Sequence, residues 1–140
     1  MPPLLERLFA ILLAERIGSA LALRIYAAAD GEPLPEDFAC LTATDPAAPG
    51  EGFPGITHTI TLSVCVPIER RAQAEALASA FLTLSLHDIA TAAVGLYPPI
   101  SYGHLYAWAP GLSETDLTEG DRLTLTATAE LTCARFTRGE

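Results

Sequence analysis

Two long stretches of this 140-residue sequence alternate apolar and polar residues, and this alternation constrains the fold more than any other feature. They are residues 56–66 and residues 122–136, and most of their polar positions are threonine, which favours β structure. Successive side chains of a strand point to opposite faces, so each stretch predicts a long strand with one buried and one polar face. The predicted buried positions are Ile56, His58, Ile60, Leu62, Val64 and Val66 in the first stretch and Leu123, Leu125, Ala127, Ala129, Leu131 and Cys133 in the second.

The remaining periodicities supply helices and shorter strands around these two stretches. The predicted helices are residues 3–18, 70–86 and 87–97, and the shorter predicted strands are residues 20–29, 38–44 and 101–109. This order predicts an α+β fold in one domain spanning residues 1–140. We expect a single antiparallel or mixed sheet of four to five strands, with two main helices packed on one face.

Two segments have the composition of loops. Residues 45–55 are rich in proline and glycine, and a loop of this length in a compact domain is usually functional. Residues 112–121 are predicted to form an acidic loop between two strands, with Pro110 and Gly111 turning the chain just before it. The acidic residues of this predicted loop are Glu114, Asp116, Glu119 and Asp121.

The charge balance excludes several classes of partner. The sequence contains eight basic and 17 acidic residues, which gives a formal net charge of −9. A protein that binds nucleic acid tightly needs a cluster of basic residues, and the densest group here is the pair Arg70 and Arg71. We therefore expect neither sequence-specific nucleic-acid binding nor attachment to an anionic membrane. The apolar N-terminal stretch is interrupted by Glu6 and Arg7, which does not fit a secretion signal or a membrane span.

The sequence contains no motif for catalysis, cofactor binding or metal binding. Its cysteines lack metal-ligand spacing, and we expect them to be buried thiols; they are Cys40, Cys65 and Cys133. An enzyme would have to combine His58 or His104 with a carboxylate such as Asp88 or Glu130. His58 lies on a predicted apolar face, which favours a structural role, so we expect a protein that is not an enzyme.

An aromatic segment and the threonine faces are the candidates for contact with other molecules. Tyr102, Tyr106 and Trp108 alternate along a predicted strand, which favours a subunit interface or a core. The alternative is a small-molecule binding module lined by residues 102–108. Phe53 and Pro54 in the long loop are further candidates for a subunit or tube interface. The uncharged threonine faces suit solvent or a weakly polar subunit interface.

The order of these pieces resembles that of the tail terminator and tail-completion proteins of long-tailed bacteriophages and phage-like particles. The matching pieces are a leading helix, an early strand, the long strand 56–66, the helix 70–86, a loop ending in Glu119-Gly120-Asp121-Arg122, and a closing strand over residues 123–136.

This resemblance implies a structural virion protein that assembles into a ring, commonly a hexamer, at the tail–head junction. Such a ring caps the tail tube, ends its polymerisation and joins it to the head, and DNA passes through its lumen. The implied partners are further copies of the chain, the tail tube protein and the head–tail connector proteins. A family member of this kind is made in the bacterial host cytoplasm and acts without a cofactor. The acidic composition suits a channel that DNA crosses without adhering, because like charges repel.

Overall fold

The computed structural model describes residues 2–17, 24–28, 31–44, 55–95 and 105–134. Three helices and five strands follow one another along these residues, with a short 3₁₀ turn at Ile68–Arg70 before the second helix. The helices are α1 (Pro2–Ile17), α2 (Arg71–Leu82) and α3 (Leu86–Gly95), and the strands are β1 (Ile25–Ala27), β2 (Phe38–Thr44), β3 (Gly55–Pro67), β4 (Leu105–Glu119) and β5 (Arg122–Ala134).

The five strands form one mixed sheet in the order β1-β2-β3-β5-β4. The pairs β2–β3, β3–β5 and β5–β4 are antiparallel, and only the short edge pair β1–β2 is parallel. The predicted α+β fold with a single sheet and helices is therefore confirmed.

The core lies between the helices and one face of the central strands. In β3 the predicted apolar positions from His58 to Val66 are buried, and in β5 those from Leu123 to Leu131 are buried, whereas the threonines between them are half-buried. Both long alternating stretches thus form strands in the predicted orientation. The helices contribute side chains that pack against these positions in a single cluster, among them Leu8, Phe9, Leu13, Leu77, Phe81 and Ile89. Burial of this apolar surface on one side leaves the threonine side of the sheet without a described helix.

The predicted acidic loop over residues 112–121 is wrong. Strand β4 continues to Glu119, and only Gly120 and Asp121 turn the chain into β5. The predicted turn at Pro110 and Gly111 is wrong as well, because β4 passes through these residues with a shift of register between Pro110 and Ser113. An edge strand tolerates proline, a bulge and charged side chains, since its outer side makes no ladder within the sheet.

The predicted helix over residues 70–86 is shorter than expected. It ends at Leu82, and a new helix begins after Ser85. The Asp88 N–H donates to the Ser85 hydroxyl at 3.1 Å and the Ser85 N–H donates to the Asp88 carboxylate at 3.0 Å. This reciprocal capping satisfies N–H groups that have no partner within the first turn of α3, so the helix starts there.

The other boundaries differ by smaller amounts. Helix α1 matches its prediction closely, and α3 extends to Gly95, the last described residue before the predicted end at residue 97. The early strand predicted over residues 20–29 forms only at Ile25–Ala27 within the described part of the chain. The predicted loop over residues 45–55 lies outside the described residues except for Gly55, which begins β3.

Candidate functional site

Trp108, a predicted interface residue, lies in an aromatic cluster that joins β4 to two helices. Its ring stacks on Phe9 of α1, with centroids 5.3 Å apart and planes inclined by 20°. It meets Phe81 of α2 edge-on at 5.6 Å and 87°. Such pairs add about 0.5–1.5 kcal/mol to the burial of the rings. The half-buried Trp108 therefore contributes to the protomer's own packing.

The other predicted interface residues are not brought together within the described structure. The backbone of Tyr106 belongs to β4, whereas Phe53, Pro54 and Tyr102 lie outside the described residues. Their role in an interface stays a prediction.

The predicted acidic residues are positions of β4 and of the turn that follows it. Glu114, Asp116 and Glu119 are positions of β4, opposite Ala127, Leu125 and Arg122 of β5. Asp121 is exposed in the turn that follows, and its carbonyl oxygen accepts the Ile68 N–H at 2.9 Å. This hydrogen bond fixes the β4–β5 turn against the end of β3.

An ion-pair cluster at the same end of the sheet was not predicted. Asp37 accepts a hydrogen bond from Arg122 at 2.7 Å and one from Arg70 at 3.2 Å, with a different carboxylate oxygen for each. Arg122 also donates to the Glu36 carbonyl oxygen and, at 3.6 Å, to the Cys65 sulfur. These contacts tie the segment before β2 to the start of α2 and to the β4–β5 hairpin.

The electrostatics of this cluster favour its charged form. The hydrogen bond from Arg122 is the main cause that lowers the pKa of Asp37, and Arg70 adds to it against the opposing effect of desolvation. The same hydrogen bond is the main cause that raises the pKa of Arg122. The three residues are far apart in sequence and follow no periodic pattern, so no signal in the sequence identifies them.

A carboxylate inside the core is a second feature that sequence reasoning missed. Glu6 interrupts the apolar stretch of α1, yet it is only 3% exposed, and its Oε2 atom accepts the backbone N–H of Ala43 at 2.8 Å. Strand β1 pairs with β2 only at Ala39, Cys40 and Leu41. Helix α1 thus provides the hydrogen-bond acceptor for the N–H of Ala43, two residues further along β2. Burial, with a further contribution from the negative charge of Glu6, raises the pKa of the Cys40 thiol, which favours the unreactive protonated form.

The sheet separates His58 from Glu130, and Asp88 is engaged by Ser85 and Arg16 at the start of α3. His58 is 3% exposed and lies opposite Leu131 on the core face, whereas Glu130 lies opposite Thr59 on the threonine face. His104 lies outside the described residues. Among the residues that the structure describes, no group of three or more histidine, cysteine or acidic side chains could hold a metal ion.

No helix of the described residues packs on the threonine face of the central strands. Its opposed pairs include Thr61 with Thr128 and Ser63 with Thr126, and the Thr57 and Thr132 hydroxyls are hydrogen-bonded at 2.9 Å. Between Thr124 and Thr132 the only charged position in β5 is Glu130. Covering hydroxyl groups costs less free energy than covering charged groups, provided that the hydroxyls keep hydrogen bonds in the contact.

Comparison with known proteins gives a similarity of structure without a match of sequence family. No family model matches the sequence, and no curated protein matches it. Among solved structures, the chain is similar to a chain of the structure described as "Virion of native gene transfer agent (GTA) particle". The similarity has a TM-score of 0.52 and 23% sequence identity, and it covers 88% of this chain and 84% of the other. At this identity the similarity shows a shared fold. Within the described residues, no helix is long and apolar enough to span a membrane.

Proposed function

We propose that this chain is a structural protein of a phage-like particle. The observation that carries the proposal is the fold shared with a chain of a gene transfer agent virion over 88% of the sequence. The order of elements that resembles tail terminator and tail-completion proteins supports the same conclusion. The chain acts by binding other particle proteins, without catalysis and without a cofactor.

Within such a particle, the chain forms a hexameric ring at the tail–head junction. The ring caps the tail tube, ends its polymerisation and joins it to the head, and its partners are the tube protein and the connector proteins. Residues 1–140 form one tail-terminator-like domain, with residues 45–55 as a contact loop. Phe53, Pro54, Tyr102 and Tyr106 are the candidate contacts with a neighbouring subunit or the tube.

DNA passes through the lumen of this ring. The net charge of −9 supports this role, because an acidic wall repels the phosphate backbone and keeps DNA from adhering. Asp121, exposed at the β4–β5 turn, is the candidate lumen residue among the described acidic positions. Glu114, Asp116 and Glu119 are positions of β4, the last strand of the sheet. These positions could face either a neighbouring subunit or the lumen.

The alternative of a small-molecule binding module receives no support from the aromatic strand. A binding module of this kind would need the ring of Trp108 to contact the ligand. That ring packs instead against Phe9 and Phe81 of the same chain.

Deleting the gene from a strain that produces the particle tests the proposal. We expect DNA-filled heads without tails, together with tails of uncontrolled length, in electron micrographs of the lysate. Supplying the wild-type chain restores joined particles, and so does a chain with the exposed change Glu15→Gln as a control. Joined particles with tails of normal length in the deletion strain would contradict the proposal.

A further inference from the structure

The threonine face of the sheet carries little charge for a surface that the described helices leave uncovered. We define this face by ten positions of the two central strands, which are Thr57, Thr59, Thr61, Ser63 and Cys65 of β3 and Thr124, Thr126, Thr128, Glu130 and Thr132 of β5. Only Glu130 is charged, whereas about 25–35% of the residues on a well-solvated surface are charged. All ten residues are half-buried, so they stay accessible, while the core-face positions between them are buried. Depletion of charge on an accessible surface is typical of the centre of a protein interface.

Helix α1 has an apolar side chain on the side that points away from the core. The apolar residues of α1 are spread around the helix, and Ile11 is 44% exposed. Arg7, Ile11 and Ala14 are all exposed, and their spacing of four and three residues places them on one side of the helix. We call these three residues the outer stripe of α1. Since a helix in contact with water is usually polar on its exposed side, the outer stripe is expected to have a cover.

The two surfaces match in length and in chemistry. At about 1.5 Å per helical residue and about 3.4 Å per strand residue, α1 is about 24 Å long and the threonine face about 27 Å. Threonine methyl groups can pack against Ile11 and Ala14, while the hydroxyls bond to one another, as those of Thr57 and Thr132 do. Arg7 gives the outer stripe one cation and Glu130 gives the threonine face one anion. The charges of the two surfaces are therefore complementary.

The charge of the chain limits how two copies can meet. At a net charge of −9 each copy repels another, so a contact between copies needs surfaces with few carboxylates. The threonine face and the outer stripe together contain one carboxylate, that of Glu130. Two threonine faces in contact would bring together a Glu130 from each copy, and such a self-complementary contact ends at a dimer. A contact between two different surfaces can continue around a ring.

We propose that the threonine face of one copy binds the outer stripe of α1 of the next copy. Each α1 then lies between the sheet of its own protomer and the sheet of its neighbour. This inference rests on the proposed assembly of the chain into a ring, and it names the two surfaces that join the subunits.

Two variants that each remove one surface test this contact. Thr61→Glu places a carboxylate in the middle of the threonine face, and Ile11→Glu places one in the middle of the outer stripe. Each variant alone should lose the rings and give a monomer in light scattering, because an unpaired charge is unfavourable inside a contact. Ala76→Glu, at an exposed site on α2, makes the same change of charge and should form rings like the wild-type chain. Circular dichroism checks that each variant is folded, and Thr128→Glu and Ala14→Glu replace a variant that is not.

A mixture of the two variants shows whether the contact joins different surfaces. The Thr61→Glu chain keeps its outer stripe and the Ile11→Glu chain keeps its threonine face, so one intact contact can form between them. We expect a one-to-one complex with twice the mass of the 14.8 kDa chain and no larger species. The two variants should bind each other at least about tenfold more tightly than either binds itself.

Four results would overturn the inference. Rings formed by either variant alone, or a mixture that stays monomeric, would overturn it and leave the ring assignment standing. A dimer of Ile11→Glu alone would show that two threonine faces meet, and would also overturn it. A wild-type chain that is monomeric at every concentration would overturn both the contact and the ring. The deletion strain tests the role in the particle separately, so a failure of that role is distinct from a failure of this contact.

Discussion

At the scale of single residues, the buried carboxylate of Glu6 links α1 to β2. We expect Glu6→Ala to lower the free energy of unfolding by about 1.5–3 kcal/mol, because the buried N–H of Ala43 loses a charged acceptor. Glu6→Gln keeps an acceptor and should lower it less. Urea denaturation measures both, with Glu15→Ala on the exposed side of α1 as the control, expected within about 0.5 kcal/mol of wild type. Equal effects of Glu6→Ala and Glu15→Ala would contradict this role.

Asp37 is a residue-scale source of pH-dependent stability. The pKa of Asp37 is lower in the folded chain than in the unfolded one. Its ion pairs therefore stabilise the fold at pH values above the ordinary aspartate pKa of about 3.9. That contribution is lost as the pH falls through the folded pKa. We expect Asp37→Asn to be less stable than wild type at pH 7, and the difference to shrink as the pH falls below about 4.

Urea denaturation of both proteins over this pH range measures the Asp37 effect. The control is Glu32→Gln, which removes the more exposed ion pair to Arg24 and should have a smaller effect at pH 7. A difference between wild type and Asp37→Asn that does not change with pH would contradict the assignment.

At the scale of elements, the β4–β5 hairpin depends on Gly120. This residue has φ = +62°, and a side chain added there would meet nothing within 4 Å. The cost of a substitution is therefore one of backbone conformation. We expect Gly120→Ala to lower the free energy of unfolding by about 1–2 kcal/mol, and Gly120→Asn to lower it less, because asparagine tolerates positive φ. Urea denaturation tests the order; an alanine variant as stable as wild type would contradict it.

The aromatic cluster holds α1, α2 and β4 together. Phe81 is fully buried and contacts both Phe9 and Trp108. We expect Phe81→Ala to lower the free energy of unfolding by about 3–5 kcal/mol through loss of burial and creation of a cavity. Ala76→Ser at an exposed site on the same helix is the control and should change it by less than about 0.5 kcal/mol. Circular dichroism and Trp108 fluorescence should report one common transition; a change below about 1 kcal/mol in Phe81→Ala would contradict the role of the cluster.

The elements also show how far the sequence predicts the structure. Strands β3 and β5 were predictable because both faces obey one period over more than ten residues. Strand β4 was predicted only in part, since its proline, glycine and acidic residues have the composition of a loop and only its edge position makes them compatible with a strand. The break between α2 and α3 depends on capping by Ser85 and Asp88, which helical propensity does not reveal.

The candidate sites were less predictable than the fold. The Asp37 cluster joins residues separated by 33 and 85 positions, so tertiary packing alone brings them together. A glutamate in a helix is expected on the polar face, whereas Glu6 is buried in the core. Trp108 was identified from the sequence as an interface or core residue, and only the contacts with Phe9 and Phe81 show its place in the core.

At the scale of the whole molecule, the sheet leaves distinct surfaces for neighbours. Within the described residues, helices cover one face, threonines line the other, β1 and Glu6 lie at one edge, and β4 forms the other edge. A closed ring needs two different complementary surfaces on each subunit, because head-to-tail contacts generate rings. A sheet with unequal faces and unequal edges offers such surfaces.

The native mass of the purified chain tests the ring most directly. Light scattering on a sizing column gives the mass, and negative-stain images of the same peak show the shape. The account predicts closed rings with an open lumen and a mass about six times that of the 14.8 kDa chain. A 14.8 kDa monomer at every concentration, or open filaments in place of rings, would contradict it.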